Sequence, residues 1–323
     1  MMTRELLILR HGKSDWGTGD DDFHRPLTER GRRSARRMAI WMVEQKLMPD
    51  YVVASPAERA LATAQKACKT LGMSPKTIHK DLRVYEAGPE ELLRVLADCP
   101  GTAQRVMLVG HNPGLEDLLT YLADAPIPLP EDGKLLPTAA LARLRMPDDW
   151  NKLPQGCAGL ESITRPGAVP DRFPFPAAGK GELRDRPAYY YDQSSVIPYR
   201  IRDCKLEILI ISSIKRKHWI VPKGIKEPGM SPQESAAQEA REEAGVEGEV
   251  GTTSLGTYSY EKWGGTCTVE VYPMEVTRIL PEDAWPERHR GREWVSPNQA
   301  AKRLKQPELT SMLEALVTLL RAD

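Results

Sequence analysis

The chain has 323 residues, 45 Lys+Arg against 45 Asp+Glu, and 41% hydrophobic residues. This length and apolar content suffice for two cores of ordinary size, and the balanced charge excludes a chain-wide pull toward nucleic acid or membrane, so neither a nucleic-acid duplex nor a membrane is expected as a partner. No apolar run approaches the length of about 18 residues that a spanning helix needs, and the start of the chain does not read as a signal peptide. The five cysteines, Cys68, Cys99, Cys157, Cys204 and Cys267, show no CxxC or zinc-ligand spacing, so a reduced, cytoplasmic setting is expected.

In chain order, the first signal is an apolar strand, Leu6 to Leu9, that delivers Arg10, His11 and Gly12 at its carboxyl end, where open α/β sheets place ligands. A second short strand, YVVAS, ends at Ser55 and Pro56 and opens a helix carrying Arg59. Glu86 follows in LRVYEAGPEELL, and a third strand, VMLVG, ends at His111. Three strands thus finish in phosphate-binding or nucleophilic residue types. The phrases RHGKSDW, RPLTERGRRSARRM, SPAERALAT, LVGHNPG and LLPTAALARL resemble the histidine phosphatase superfamily, in particular its SixA-type phosphohistidine phosphatase branch. The resemblance covers residues 1–168. It implies that His11 is a nucleophile passing through a phosphohistidine, that Arg10, Arg59 and His111 hold the phosphoryl oxygens, and that no cofactor is needed. Two guanidiniums and an imidazole suit the charge on a transferring phosphoryl group. To attack, His11 must be neutral, with its other ring nitrogen held as a donor by backbone. Arg25 resembles a position near the pocket and equally suits a cap or ion pair. Glu86 stands about where other branches carry a general acid, and it also reads as an exposed glutamate at a helix start.

Residues 169–186, VPDRFPFPAAGKGELRDR, lack strand or helix periodicity and read as a Pro-stiffened linker. The second domain, 187–323, opens with Tyr189, Tyr190 and Tyr191, read as packing or interdomain residues, and a strand in SSVIPYRI. A buried strand, LEILIISS, leads to the basic run Lys215 to Lys217 and then to Lys223. The segment 224–246 carries a signed helix. Ser231 and Glu234 form a capping box, Pro232 fits the first turn, and Gly245 is a helix stop, predicting a helix over 232–244. Spacings of three and four residues place Glu239 beside Glu242 and Glu243, near the negative end of the helix dipole. A hard divalent cation, Mg²⁺ or Mn²⁺, would remove that conflict.

This segment resembles the Nudix box, Gx5Ex7REUxEExGU. Gly224, Glu239, Ala240, Glu242, Glu243, Gly245 and Val246 match, whereas Met230 replaces a Glu and Gln238 an Arg. Gln238 can supply hydrogen bonds but not the cation that would orient a neighbouring glutamate. With HWIVPKG, KWGGTCTVEVYPMEV and WPERHRGREW, the domain looks like the branch containing diphosphoinositol-polyphosphate and diadenosine-polyphosphate hydrolases. The resemblance implies Glu239, Glu242 and Glu243 as metal ligands, with one of them serving as base, and long phosphoanhydride chains as substrate. Lys215, Lys217, Lys223 and Arg292 are the basic residues available to bind such a chain, and Lys215 to Lys217 reads equally as a solvated turn.

The expected architecture is α/β throughout: a doubly wound, mainly parallel histidine-phosphatase domain followed by an α/β/α Nudix domain with a mixed sheet. The expected function is that of a tandem phosphohydrolase acting on a small polyphosphorylated molecule, with a phosphohistidine protein as a further partner. A second reading makes the chain a protein phosphohistidine phosphatase whose Nudix-like half senses a ligand or mediates oligomerisation, and a homodimer is compatible with either.

Overall fold

In the N-terminal unit the apolar run of the first strand is covered on both faces. Strand β1 (Glu5–Arg10) alternates, with Leu6 and Ile8 in one core beside Leu92, Val95, Leu115 and Leu118, and Leu7 and Leu9 in another beside Met38, Met42, Ala64 and Ala67. Continuous apolar strands of this kind are what a sheet with helices on both faces requires. The remaining elements are α1 (Glu29–Glu44), β2 (Tyr51–Ala54), α2 (Glu58–Thr70), β3 (His79–Lys80), α3 (Pro89–Ala97), β4 (Arg105–Gly110), α4 (Gly114–Leu122), β5 (Leu141–Arg145) and β6 (Gly159–Thr164). Strand order is β3-β2-β4-β1-β5-β6. The first four strands are parallel, and β5 and β6 are antiparallel additions.

This computed structural model describes residues 4–175, 182–214 and 216–322. The chain divides into two units, Met1–Phe173 and Pro174–Asp323. Part of the expected linker, 176–181, lies outside the described residues. Its first residues differ from the expectation: Val169 is buried in the core beside α1, and Arg37 of α1 pairs with Asp171 at 2.8 Å. Arg33 and Arg37 of α1 also donate to the carbonyls of Asp171, Pro170 and Val169, and Phe173 is fully buried, so this segment belongs to the N-terminal unit.

The C-terminal unit is a mixed sheet between helices. Its strands are β7 (Asp192–Arg202), β8 (Lys205–Ser212), β9 (Trp219–Ile220), β10 (Lys223–Ile225), β11 (Val246–Val250), β12 (Gly256–Lys262), β13 (Gly265–Ile279) and β14 (Arg292–Val295). β7 and β13 pair in parallel and the other pairings are antiparallel. The box helix α5 (Pro232–Glu239) packs on one face, and α6 (Pro297–Arg303) and α7 (Leu309–Ala322) are on the other. Ala236, Ala240 and Ala244 are fully buried, a small-residue stripe that brings the helix backbone close to the sheet. Among the described residues no helix is long and apolar enough to cross a membrane, and all five cysteines are unpaired.

Two candidate phosphate sites

In the N-terminal unit the carboxyl ends of three parallel strands meet at a cleft of about 1050 Å³. β1 supplies Arg10 and His11, β4 leads to His111, and Arg59 is presented by the first turn of α2, which follows β2. All four line the cleft, together with Arg25, Asp22 and Glu86. The His11 loop is pressed against the start of α1: a Cβ on Gly12 would meet the Gly31 carbonyl oxygen at 2.7 Å. Gly12 donates its N–H to Thr63 Oγ1 at 2.9 Å. His11 is held beside this turn.

His11 Nδ1 lies 2.7 Å from the Gly12 carbonyl. A carbonyl only accepts, so Nδ1 carries the proton and Nε2 keeps its lone pair. Burial pushes the His11 pKa down to about 4, and Arg59, Arg10 and Arg25 add to the depression against the opposing Gly12 bond. His111 is pushed down to about 3 by burial and then by His11. The two rings lie 5.1 Å apart, and His111 Nε2 is 2.9 Å from Ser55 Oγ. Arg10 donates to Leu136 O at 2.7 Å. Arg10 Nε, Arg59 Nε and His111 Nδ1 are buried with no partner among the described residues, a cost that an oxyanion would relieve.

Because a lowered pKa favours the neutral base, both imidazoles should be uncharged at every pH well above about 4. Long-range proton–nitrogen NMR of the full chain between pH 5 and 8 is expected to show His11 as the fixed Nδ1–H tautomer, with the coupled pair titrating only at more acid pH. A His11 signal that becomes cationic near the ordinary histidine value of about 6.5 would contradict this geometry.

Asp22 is a site residue that sequence reasoning missed. Its carboxylate accepts from Arg25 and Arg59 at 2.7 Å each and from the Tyr85 hydroxyl at 2.9 Å. Although burial works against it, the bonds from Tyr85 and Arg59 hold its carboxyl below the ordinary value. Its position in a run of aspartates offered no local signal. Arg25 takes both suggested parts, pairing with Asp22 and lining the cleft, with its guanidinium 3.4 Å over the exposed Trp16 ring. Glu86 is exposed on the cleft wall in a left-handed backbone conformation, φ 52°, before α3 begins at Pro89.

In the C-terminal unit the expected capping box forms: Ser231 Oγ accepts from Glu234 N at 3.1 Å and Glu234 Oε2 accepts from Ser231 N at 2.8 Å. The helix is α-helical to Glu239 and then opens into a π turn over Ala240–Ala244, ending at left-handed Gly245. Such turns are rare and concentrate at functional sites. Burial, then Glu243 and Glu242, pushes the Glu239 carboxyl up to about 8. A Cβ at Gly224 would overlap the Glu239 carboxylate. Glu243 accepts from Lys223 N at 3.1 Å and from Arg290 at 2.5 Å, and Glu242 accepts from Gln238 at 2.9 Å.

Among the described residues no set of three or more His, Cys, Asp or Glu side chains is gathered into a metal cage. Glu242 and Glu243 each accept from hydrogen-bond donors, while both carboxylates act on Glu239 to oppose its ionisation. The donor chemistry still fits a hard divalent cation. Glu239 is an oxygen donor whose ionisation its surroundings oppose, and glycine at 224 leaves its carboxylate room.

The expected phosphate-binding lysines and arginine are placed differently from one another. Lys217 is exposed, and Lys215 lies outside the described residues. Lys223 turns inward, donating to Tyr260 OH at 2.6 Å and Gln193 Oε1 at 3.2 Å, and burial followed by Lys262 pushes its pKa down to about 8. Arg292 is committed elsewhere. It donates to the carbonyls of Ala244 and Gly245 at 3.0 Å and of Leu280 at 3.2 Å, capping the box helix instead of remaining available for phosphate. The orphan carbonyls at a helix end are strong acceptors that reach such a cation first.

Fold and sites define a hydrolase with two phosphohydrolase domains. Residues 6–95 match the family model of the histidine phosphatase superfamily (branch 1), and residues 193–316 match the NUDIX domain. Nudix hydrolase 17, mitochondrial, of Arabidopsis thaliana is 36% identical over 131 residues, 38% of this chain and 70% of that protein. The 2,3-bisphosphoglycerate-dependent phosphoglycerate mutase of Rhodococcus opacus (strain B4) is 34% identical over 91 residues, 27% of this chain and 36% of that protein. A solved structure of the protein histidine phosphatase SixA complexed with tungstate is 22% identical, covering 50% of this chain and 97% of that one, with a TM-score of 0.41. The chain belongs to the Nudix hydrolase family and carries a histidine phosphatase domain ahead of its Nudix domain.

Proposed function

We propose that the Nudix half cleaves a phosphoanhydride in a small polyphosphorylated molecule with Mg²⁺ or Mn²⁺, and that the phosphatase half then removes a terminal phosphate without metal. The observation that supports this most is the convergence of His11, Arg10, Arg59 and His111 on one cleft from the end of β1, the first turn of α2 and the end of β4. His11 Nε2 attacks phosphorus with its lone pair as the bond to the leaving group breaks. Arg10, Arg59 and His111 hold the equatorial oxygens. Water then attacks the phosphohistidine, breaking the P–N bond, releasing orthophosphate and restoring the imidazole. Glu86, on the cleft wall, is the carboxyl proposed to protonate a poor leaving group, since Asp22 is held ionised by its donors.

In the second half Glu239, Glu242 and Glu243 would hold the cation, which when bound supplies Lewis acidity to the phosphate chain. One of these glutamates takes the proton of the attacking water. Lys217 offers an exposed charge to the polyphosphate, and Lys223, poised by Tyr260 and Gln193, lies on the strand leading into the box. Phosphorus NMR of diadenosine tetraphosphate with Mg²⁺, repeated in EDTA, tests the reading. Metal-dependent chain cleavage followed by metal-independent orthophosphate release is expected. An intact phosphate chain would remove this substrate class.

Gly224→Ala offers a separate test of the metal site. Because the added Cβ meets the movable end of Glu239 and not backbone, the thermal midpoint should stay within a few degrees, as for a change of about 1 kcal/mol. Anhydride cleavage should fall by about 10²-fold, as expected when catalytic groups are displaced by about 1 Å. Unchanged cleavage would place the cation elsewhere.

A further inference from the structure

The Nudix box of this chain lacks an oppositely charged pair: Met230 stands for its Glu and Gln238 for its Arg. The structure holds such a pair at another place. Arg290, 4% exposed, donates through Nη2 to Glu243 Oε1 and through Nε to Glu287 Oε2, both at 2.5 Å, and through Nη1 to Ser212 O at 3.3 Å. Its loop is tied to the box at two further points: Glu287 N and Trp285 Nε1 each donate to Glu242 O at 3.2 Å. Gln238, meanwhile, offers only a neutral amide to Glu242, on the exposed side of the helix.

We propose that Arg290, braced by Glu287, is a positioning residue that replaces the missing box arginine by fixing Glu243 for the divalent cation. Any buried guanidinium must be paired, and what marks Arg290 is which partners it takes: a box glutamate, Glu243, a loop glutamate, Glu287, and the carbonyl at the end of β8, Ser212 O. Its planar fork satisfies all three in one orientation, which a lysine could not do. Glu243 keeps further lone pairs after accepting from Arg290 and Lys223, since a carboxylate offers about four acceptor sites. The fork thus orients this ligand without exhausting it. The charge that the usual box carries within its own helix is carried here by the loop before β14. This inference rests on the proposed metal site and adds to it the residue that orients one ligand.

The test is Mn²⁺ binding to the full chain, read by the loss of the free-ion EPR signal and independent of turnover. Arg290→Gln should weaken the Kd by about tenfold or more, the usual loss when a partner of a metal ligand is removed. Arg290→Gln combined with Gln238→Arg, which returns the charge to its box position, should bind within about threefold of wild type. An Arg290→Gln Kd within twofold of wild type, or tighter, would overturn the proposal. If Arg290→Gln does not fold, the double variant decides: a Kd weakened tenfold or more overturns the relocation, and one within about threefold sustains it. Glu239→Gln separates the two levels. Undiminished Mn²⁺ binding there would defeat the metal-site reading itself, whereas loss there with wild-type affinity in Arg290→Gln would defeat this inference alone.

Discussion

His11→Ala should reduce phosphate release from phosphomonoesters and phosphohistidine peptides by about 10⁴-fold or more, the scale on which removal of a catalytic nucleophile is felt. Anhydride cleavage by the Nudix half should stay within twofold, because that chemistry draws on none of the phosphatase cleft. The residual activity should be small because Arg10, Arg59 and His111 can hold a phosphoryl group but provide no atom positioned to accept it. Rapid-quench labelling should trap an acid-labile, base-stable phosphoenzyme in wild type and none in the variant, the signature of phosphorus on nitrogen. Oxyanion affinity, measured with tungstate, should change far less than turnover, since the three donor side chains Arg10, Arg59 and His111 all remain. A variant that retains a tenth of wild-type turnover would mean that His11 is not the nucleophile.

Glu239→Gln should nearly abolish metal-dependent anhydride cleavage, by about 10³-fold given the several kcal/mol that a bound cation contributes to charge stabilisation. The phosphatase half should be untouched. The same substitution should raise the thermal midpoint of the metal-free protein near pH 7. The sign follows from the direction of the shift. In the folded chain the Glu239 carboxyl binds its proton up to about 8, whereas in the unfolded chain it ionises near the ordinary value of about 4.3. Between those values the folded state holds the extra proton, so stability falls as pH rises through this window, and it has already been partly lost at pH 7. Glutamine has no charge to bury and escapes that loss. Calorimetry in EDTA at pH 5 and pH 8 should show the gap between variant and wild type widening at the higher pH. A constant gap would mean that Glu239 is not under electrostatic pressure, and the cation would lose its main physical motive.

Several features could be read in the chain without coordinates because their causes are local. The capping box at Ser231 and Glu234 depends on a three-residue spacing and forms as spaced. The strand Leu6 to Leu9 is apolar at every position and is buried on both faces. Arg10 and His11 follow it directly, so their place at a strand end needed only the strand. The capping residues bound the box helix at 232–244, whereas its π turn over Ala240–Ala244 leaves no mark in the spacing of residue types. Charged side chains were the least predictable. Arg292 and Lys223 both read as phosphate-binding residues, yet Arg292 caps a helix and Lys223 is turned toward Tyr260, while Asp22 carries no signal in the sequence and bridges two guanidiniums. Residue type and spacing determined which groups with phosphate and metal chemistry the chain carries and which strand or helix presents them. The tertiary structure decided which distant donor or acceptor each charge meets. The energy of a charge depends on its nearest partners and on its burial, and both are set by chain segments far away in sequence.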